Sequence, residues 1–166
     1  MRRPHLDLRP EDITAIADTR EQTPLDLLIK TETGTLKCGD YSVLGLTDMI
    51  CVERKSLADL VACVGRERDR FDACVKRMKG YEVRVLVIEA SMGAIEAGMW
   101  RGQIKPTQVK AALYSWAKHV SIFPTTDRTS AAATVSGILF SAARERWRHL
   151  QAFHEALRIA PPKDAS

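Results

Sequence analysis

Several things that would each mark a particular class of protein are missing from this 166-residue chain. No apolar run reaches the ~18 residues needed to cross a bilayer, so neither a membrane span nor a membrane partner is expected. Met1-Arg2-Arg3-Pro4-His5-Leu6-Asp7 has no apolar stretch behind its arginines, so no secretory leader is expected either. Cysteine is sparse: Cys38, Cys51, Cys63 and Cys74 lie 13, 12 and 11 residues apart, with no C-x-x-C pair. His5, His119, His149 and His154 are far from them in sequence. That spacing speaks against zinc and is read as buried, reduced thiols of an intracellular protein. There is no Gly-rich loop to cradle a phosphate, which argues against a small-molecule α/β enzyme. No Ser, Cys or Tyr stands beside a base as an activated nucleophile, so no covalent intermediate is expected. Internal repeats and low-complexity linkers are lacking too.

What is present is a hydrophobic content of 45%, enough for a core, with 28% charged residues to solvate its surface. This excludes a disordered or fibrous chain and fits one domain. Lys and Arg number 25 against 21 acids, for a net charge of +4. A modest positive balance is compatible with a polyanionic partner. Residues 1–12 are polar and hold two prolines, and read as a loose arm. Residues 13–158 read as the domain, and 159–166 as a polar tail.

Within the domain, Ile13–Ala17 reads as a strand ending at Asp18, followed by a short helix or turn over Leu25–Ile29 and a polar segment broken by Gly34. Gly39–Leu44 and Met49–Lys55 read as the two strands of a hairpin turning at Gly45–Asp48. Ser56 is placed to cap a helix, with Asp59 adding charge to its first turn, and Leu57, Leu60, Val61 and Val64 follow at helical spacing. Gly65 interrupts, and a second helix is expected from Arg66 to Lys79. Val83–Glu89 is almost wholly apolar, as a buried parallel strand would be. Ala90–Lys105 reads as an irregular flap. Pro106 suits the first turn of a helix whose stripe includes Trp116. Val120–Phe123 is a short strand. A last helix, capped by Thr129 or Ser130 and interrupted at Gly137, runs to about Leu157. Alternating strands and helices predict an α/β fold.

The acids that invite chemistry are Asp18, Glu21, Asp40 and Glu53. In Met49–Lys55 side chains alternate, so Glu53 and Lys55 share one face of the strand and Arg54 takes the other. A carboxylate two residues before a lysine suits phosphodiester hydrolysis assisted by a metal: the acid holds a cation while the ammonium orients water and offsets charge on the phosphorane. Asp40 on the neighbouring strand could complete an oxygen-rich site for Mg²⁺, with Asp18 available as a further ligand. Arg54 could pair with Asp59 or Glu21.

The order of these residues adds weight. Gly39-Asp40 followed by Glu53-Arg54-Lys55-Ser56-Leu57-Ala58-Asp59 reads G-D-x(n)-E-R-K-x(3)-D. This resembles the nuclease motif of XPF-type structure-specific endonucleases, a branch of the PD-(D/E)xK superfamily. Ala17-Asp18-Thr19-Arg20-Glu21 resembles that family's D-x-R-E block, and Gly65–Phe71 its arginine-bearing helix, with Arg66 and Arg68 both candidates for the arginine. The resemblance covers residues 13–140 and implies a restriction-endonuclease-like central mixed sheet flanked by helices. It implies Asp18, Asp40 and Glu53 as acids binding Mg²⁺ or Mn²⁺, Lys55 as the catalytic lysine, and supporting roles for Arg20, Glu21, Arg54 and Asp59. The expected activity is hydrolysis of DNA, with a preference for branched or single-strand/duplex junctions. A non-catalytic DNA-binding or scaffold subunit is the alternative.

Arg66, Arg68, Arg70 and Lys76 with Arg77 and Lys79 make a basic helix able to follow phosphates, and Arg101 and Lys105 sit in a loop beside Trp100 that could also contact DNA. Many family members add a helicase or a helix-hairpin-helix module, and neither pattern is visible here. A partner is therefore anticipated, either a second copy through the region of Trp147 or a nuclease or helicase subunit.

Overall fold

The computed structural model describes residues 7–157. The outermost part of the expected arm and all of the polar tail at 159–166 lie outside the described residues. Residues 7–12 are described, and Pro10–Asp12 makes a single 3-10 turn.

Among the described residues six strands form one sheet. They are β1 (Ala15–Asp18), β2 (Thr31–Gly34), β3 (Tyr41–Val43), β4 (Ile50–Ser56), β5 (Val83–Glu89) and β6 (Ser121–Pro124), in the order β2-β1-β3-β4-β5-β6. β1 is antiparallel to β3, and β3 to β4, while β4, β5 and β6 run parallel. The sheet is therefore mixed, as expected. Five helices cover it: α1 (Leu57–Val64), α2 (Arg68–Met78), α3 (Met92–Glu96), α4 (Pro106–Trp116) and α5 (Arg128–Leu157).

The pleat sorts the apolar side chains into two cores. Ala15, Ala17, Tyr41, Val43, Ile50, Val52, Val85 and Val87 pack with Ala131, Val135 and Leu139 of α5. Cys51, Leu86 and Ile88 point the other way and pack with Leu60, Phe71, Met78, Val109 and Trp116 of α1, α2 and α4. β5 contributes to both cores, which explains its continuous apolar run.

Local signals hold where they are chemical. The Ser56 hydroxyl accepts the Asp59 amide at 3.1 Å, α1 stops at Gly65, and Pro106 opens α4. Four expectations are corrected. Leu25–Ile29 is not helical, because the Leu25 amide donates to the Tyr41 hydroxyl (2.7 Å) and that of Leu28 to Ser136 Oγ (2.9 Å). The polar segment after it contains β2, a solvent-facing edge strand held to β1 by its backbone, so it carries no hydrophobic alternation to betray it. The expected flap contains α3, capped by Ser91 and anchored by fully buried Ile95. α5 runs through Gly137 unbroken, and its first turn is capped by Asp127, whose Oδ1 accepts the Ser130 amide at 2.7 Å. Buried Val135, Ser136 and Leu139 around Gly137 offset the ~1 kcal/mol a helical glycine costs.

Gly39 has φ +77°, and a Cβ there would stand 2.7 Å from Cys51 Sγ and 3.0 Å from the Val52 carbonyl. The β3–β4 pairing and the aim of Asp40 depend on it. Gly39→Ala is expected to lower stability by about 1–3 kcal/mol. Urea denaturation checks this; an unchanged midpoint would show that the site tolerates a side chain.

Candidate active site

The face of the sheet under α1 and α2 opens into a cleft of about 440 Å³. Asp18, Asp40, Glu53 and Lys55 all reach it. They do so because each stands in phase with the side chains of that face: Asp18 with Ile16, Glu53 and Lys55 with Cys51. Asp40 comes one residue before Tyr41, which points to the other core.

Asp40 is the least comfortable of the group. Its amide donates to Val52 O at 2.8 Å and its Oδ2 accepts the Arg54 amide at 2.8 Å. Burial, followed by the negative charge of Glu53, pushes its carboxyl up to about 7, against the pull of the Arg54 amide and Lys55. Two carboxylates thus compete for one positive charge. Lys55 Nζ is paired with Glu53 Oε1 and lies 5.3 Å from the centre of the Phe71 ring. Burial alone would lower the Lys55 pKa; Glu53 and Asp40 outweigh it, and the ammonium is held above its ordinary value. Lys55 is therefore a proton-bearing cation here, suited to orienting water and countering anionic charge rather than to accepting a proton.

Asp18 has a different fate. Its side chain is nearly inaccessible and both oxygens are engaged: Oδ1 accepts Arg20 Nε at 2.6 Å and the Arg20 amide at 2.9 Å, while Oδ2 accepts the Leu36 amide at 2.7 Å. Burial would raise its pKa, but these bonds prevail and hold the carboxyl below the usual range. Among the described residues no three His, Cys, Asp or Glu side chains are assembled to hold a metal ion. The structure thus brings Asp40 and Glu53 together and leaves Asp18 committed to Arg20, as the anchor of the loop that leads to Asp40. A pair of carboxylates under mutual repulsion fits a hard divalent cation, which Mg²⁺ proteins commonly hold with one or two carboxylates plus waters and phosphate oxygens.

Arg54 lies on the opposite face. Its guanidinium is buried between Glu21 Oε1 (2.8 Å) and Glu89 Oε1 (3.2 Å), and it also donates to Thr23 Oγ1 at 3.2 Å. Pairing with Glu21 is as anticipated. Pairing with Asp59 does not occur: Asp59 is exposed, lines the cleft and accepts the Ser56 hydroxyl at 2.7 Å. Arg128, at the start of α5, closes the network by donating to the Thr23 (2.7 Å) and Pro24 (2.6 Å) carbonyls.

Residues 17–138 match the family model described as the ERCC4 domain. The chain belongs to the ERCC4 domain family. It is an XPF-type nuclease domain. XPF from Aeropyrum pernix has a similar structure, with a TM-score of 0.63 at 19% identity over 87% of this chain and 71% of that one. XPF from Aeropyrum pernix in complex with DNA gives 0.62 at 21% identity over 81% and 66% of the two chains. At such identities the likeness shows the fold, a mixed sheet flanked by helices. No match was found among curated proteins.

In this ERCC4 domain the basic residues divide. Arg66, Arg70 and Arg77 line the cleft together with Arg20. Arg68 does not: it pairs with Asp72 at 3.0 Å and lies 5.3 Å from the centre of the Trp116 ring. Lys76 is on the exposed side of α2, and Arg101 and Lys105 are on the exposed loop between α3 and α4, none of them lining the cleft. Trp100 serves as an anchor, donating to Ile104 O at 2.9 Å. Sequence reasoning missed Glu89, Thr23 and Arg128. Strand alternation offered a signal for Glu89, which shares the face of Val85 and Val87; none existed for Arg128.

Two outcomes follow for the ERCC4 domain. Its metal-free folded state keeps the Asp40 proton up to about pH 7, whereas the unfolded chain releases it near 3.8. Between those values the folded state binds more protons, so stability falls as pH rises. Glu53, Lys55, Glu21 and Arg20 are the charged groups that act on Asp40, and the Arg54 amide bonds its carboxylate. Asp40→Asn is expected to remove this loss, melting roughly 5 °C above wild type at about pH 8 and converging with it near pH 4. A difference that stays flat over that range would refute the raised pKa. Separately, Arg54→Ala leaves Glu21 and Glu89 without their cation, and unfolding in urea should show a cost of about 3–5 kcal/mol.

Proposed function

We propose that this ERCC4 domain is a Mg²⁺- or Mn²⁺-dependent DNA endonuclease that prefers branched or single-strand/duplex junction DNA. One observation carries the reading: Asp40, Glu53 and Lys55 stand together on a cleft floor whose rim bears Arg20, Arg66, Arg70 and Arg77. The similar XPF from Aeropyrum pernix in complex with DNA supports DNA as the partner. The junction preference follows the XPF-type likeness.

Asp40 and Glu53 would hold the divalent ion. When bound, it would supply Lewis acidity at the scissile phosphate and lower the pKa of water. Lys55, kept protonated, orients the attacking water and offsets charge accumulating on the phosphorane. Arg66, Arg70 and Arg77 receive the phosphates that fix the strand in register. Asp18 holds Arg20 at the rim, and the Arg54 network holds the loop that begins there. Assembly as a homodimer, or with a nuclease or helicase partner, belongs to the same proposal; Trp147, Leu150 and Phe153 expose apolar surface along α5. So does an intracellular setting, supported by the free state of all the cysteines.

Labelled fork, flap, single-stranded and linear duplex DNA, incubated with Mg²⁺ or Mn²⁺, test the reading. Wild type should cut fork or flap best. Glu53→Ala and Lys55→Ala should each lose at least about 100-fold in rate while keeping DNA affinity. Arg66→Ala should weaken binding and flatten its salt dependence, and Arg68→Ala should leave that slope unchanged. DNA binding without metal-dependent cutting would overturn the enzyme in favour of a scaffold subunit.

A further inference from the structure

A second groove, of about 460 Å³, opens beside the cleft. Arg20, Asp40, Lys55 and Asp59 line both cavities. Cleft and groove therefore meet over Asp40 and Lys55, and the centre proposed for hydrolysis is open on two sides. The cleft side carries Arg66, Arg70 and Arg77. The groove side is walled by the loop after β1, the end of β5 and the start of α5, which bring Gln22, Thr23, Glu89 and Arg128.

The charges of the groove do not weigh equally. The Glu21 and Glu89 side chains are only 8% and 12% exposed, and both are paired with Arg54. Their charge is balanced inside the wall. Arg20, Arg128 and Asp59 are exposed, so two guanidiniums stand against one carboxylate. Arg128 is also held in place: its Nη2 donates to the Thr23 and Pro24 carbonyls at 2.7 and 2.6 Å, and its Nη1 to Glu89 Oε1 at 3.5 Å. A guanidinium has five N–H donors, more than these contacts use, and the Arg128 side chain is still 46% exposed. A fixed guanidinium with donors to spare on an open groove suits a phosphate oxygen, because little further side-chain freedom is lost when one binds.

We propose that one DNA strand is gripped on both sides of the phosphate at Asp40 and Lys55, by Arg66 in the cleft and by Arg128 in the groove. Arg128 takes a backbone phosphate, so the contact is indifferent to base sequence. The strand continues past the reacting phosphate in both directions, which suits the site to bonds inside a strand rather than at its end. The reacting phosphate rests on the nuclease reading; the two-sided grip is a binding property and is measurable without cleavage.

The test uses the full chain, a fork DNA whose junction fixes the register, and EDTA to prevent cutting. Single phosphates of one strand are replaced by uncharged methylphosphonates, and dissociation constants are measured for wild type, Arg66→Ala and Arg128→Gln. Glutamine removes the charge and keeps an NH₂ group for the carbonyls; Arg128→Met takes its place if melting curves show it unfolded. Wild type should lose about tenfold in affinity at a few positions. At one of them Arg128→Gln should lose less than about twofold, since its contact is already gone, and at a different one Arg66→Ala should do the same. Arg128→Gln should also show a salt dependence shallower by about one unit of log–log slope, and Arg128→Lys should restore it. With Mg²⁺ supplied, wild type should cut between the two coupled phosphates. Losses in Arg128→Gln that match wild type at every position, as expected of an arginine that only braces Thr23 and Pro24, would overturn the proposal. Coupling of both arginines to phosphates on one side of the cut would do so too. Two separately coupled phosphates in a protein that never cuts DNA would leave the grip standing and the nuclease reading refuted.

Discussion

Glu53, Arg54 and Lys55 are adjacent in the chain and nearly opposite in surroundings. The pleat of β4 sends Glu53 and Lys55 into a polar cleft and drives Arg54 into the layer beneath α5. Everything else at the site depends on that division. A guanidinium in a largely apolar layer is tolerable only with anions and carbonyls around it, and Glu21, Glu89 and Thr23 supply them. Because those partners come from the loop after β1 and from the end of β5, satisfying one buried cation fixes three segments against one another. The cleft on the far face inherits its shape from that fixation.

The carboxylates of the cleft face show how neighbours decide chemistry. Asp18 is deeply buried but surrounded by donors, and stays ionised below the normal range. Asp40 has one amide donor and a second carboxylate nearby, and is pushed towards neutrality. One acid is a finished structural contact and the other an unfinished electrostatic one. Unfinished sites of this kind attract a cation, which is why the proposed function gives the metal to Asp40 and Glu53, while in this structure Asp18 holds Arg20.

Aromatic packing gives the lysine its backing. Phe71 lies under the Lys55 ammonium and meets Trp116 edge-on with 4.7 Å between ring centres. Trp116 in turn donates to Asp72 at 2.7 Å and carries Arg68 on its face. Arg68 is thereby spent on holding α2 against α4, and Arg66, one helical turn's start earlier, is left to face the cleft.

Much was legible in the sequence because it depends on neighbours in the chain. The alternation of β4 separated Glu53 and Lys55 from Arg54, and Ser56 and Pro106 marked helix starts. β2 was hidden because an exposed edge strand needs no apolar pattern, and α5 ran through Gly137 because its packing outweighs a local preference. The linear order of residues determined which side chains can share a face and which acids, lysine and glycine form a motif. Only the tertiary structure decided that Arg54 meets Glu89, that Arg128 reaches back to Thr23 and Pro24, that Arg20 claims Asp18, and that Cys38, Cys63 and Cys74 line one cleft. Those contacts are set by which elements pack together and by the desolvation of charges between them, and neither is written in local spacing.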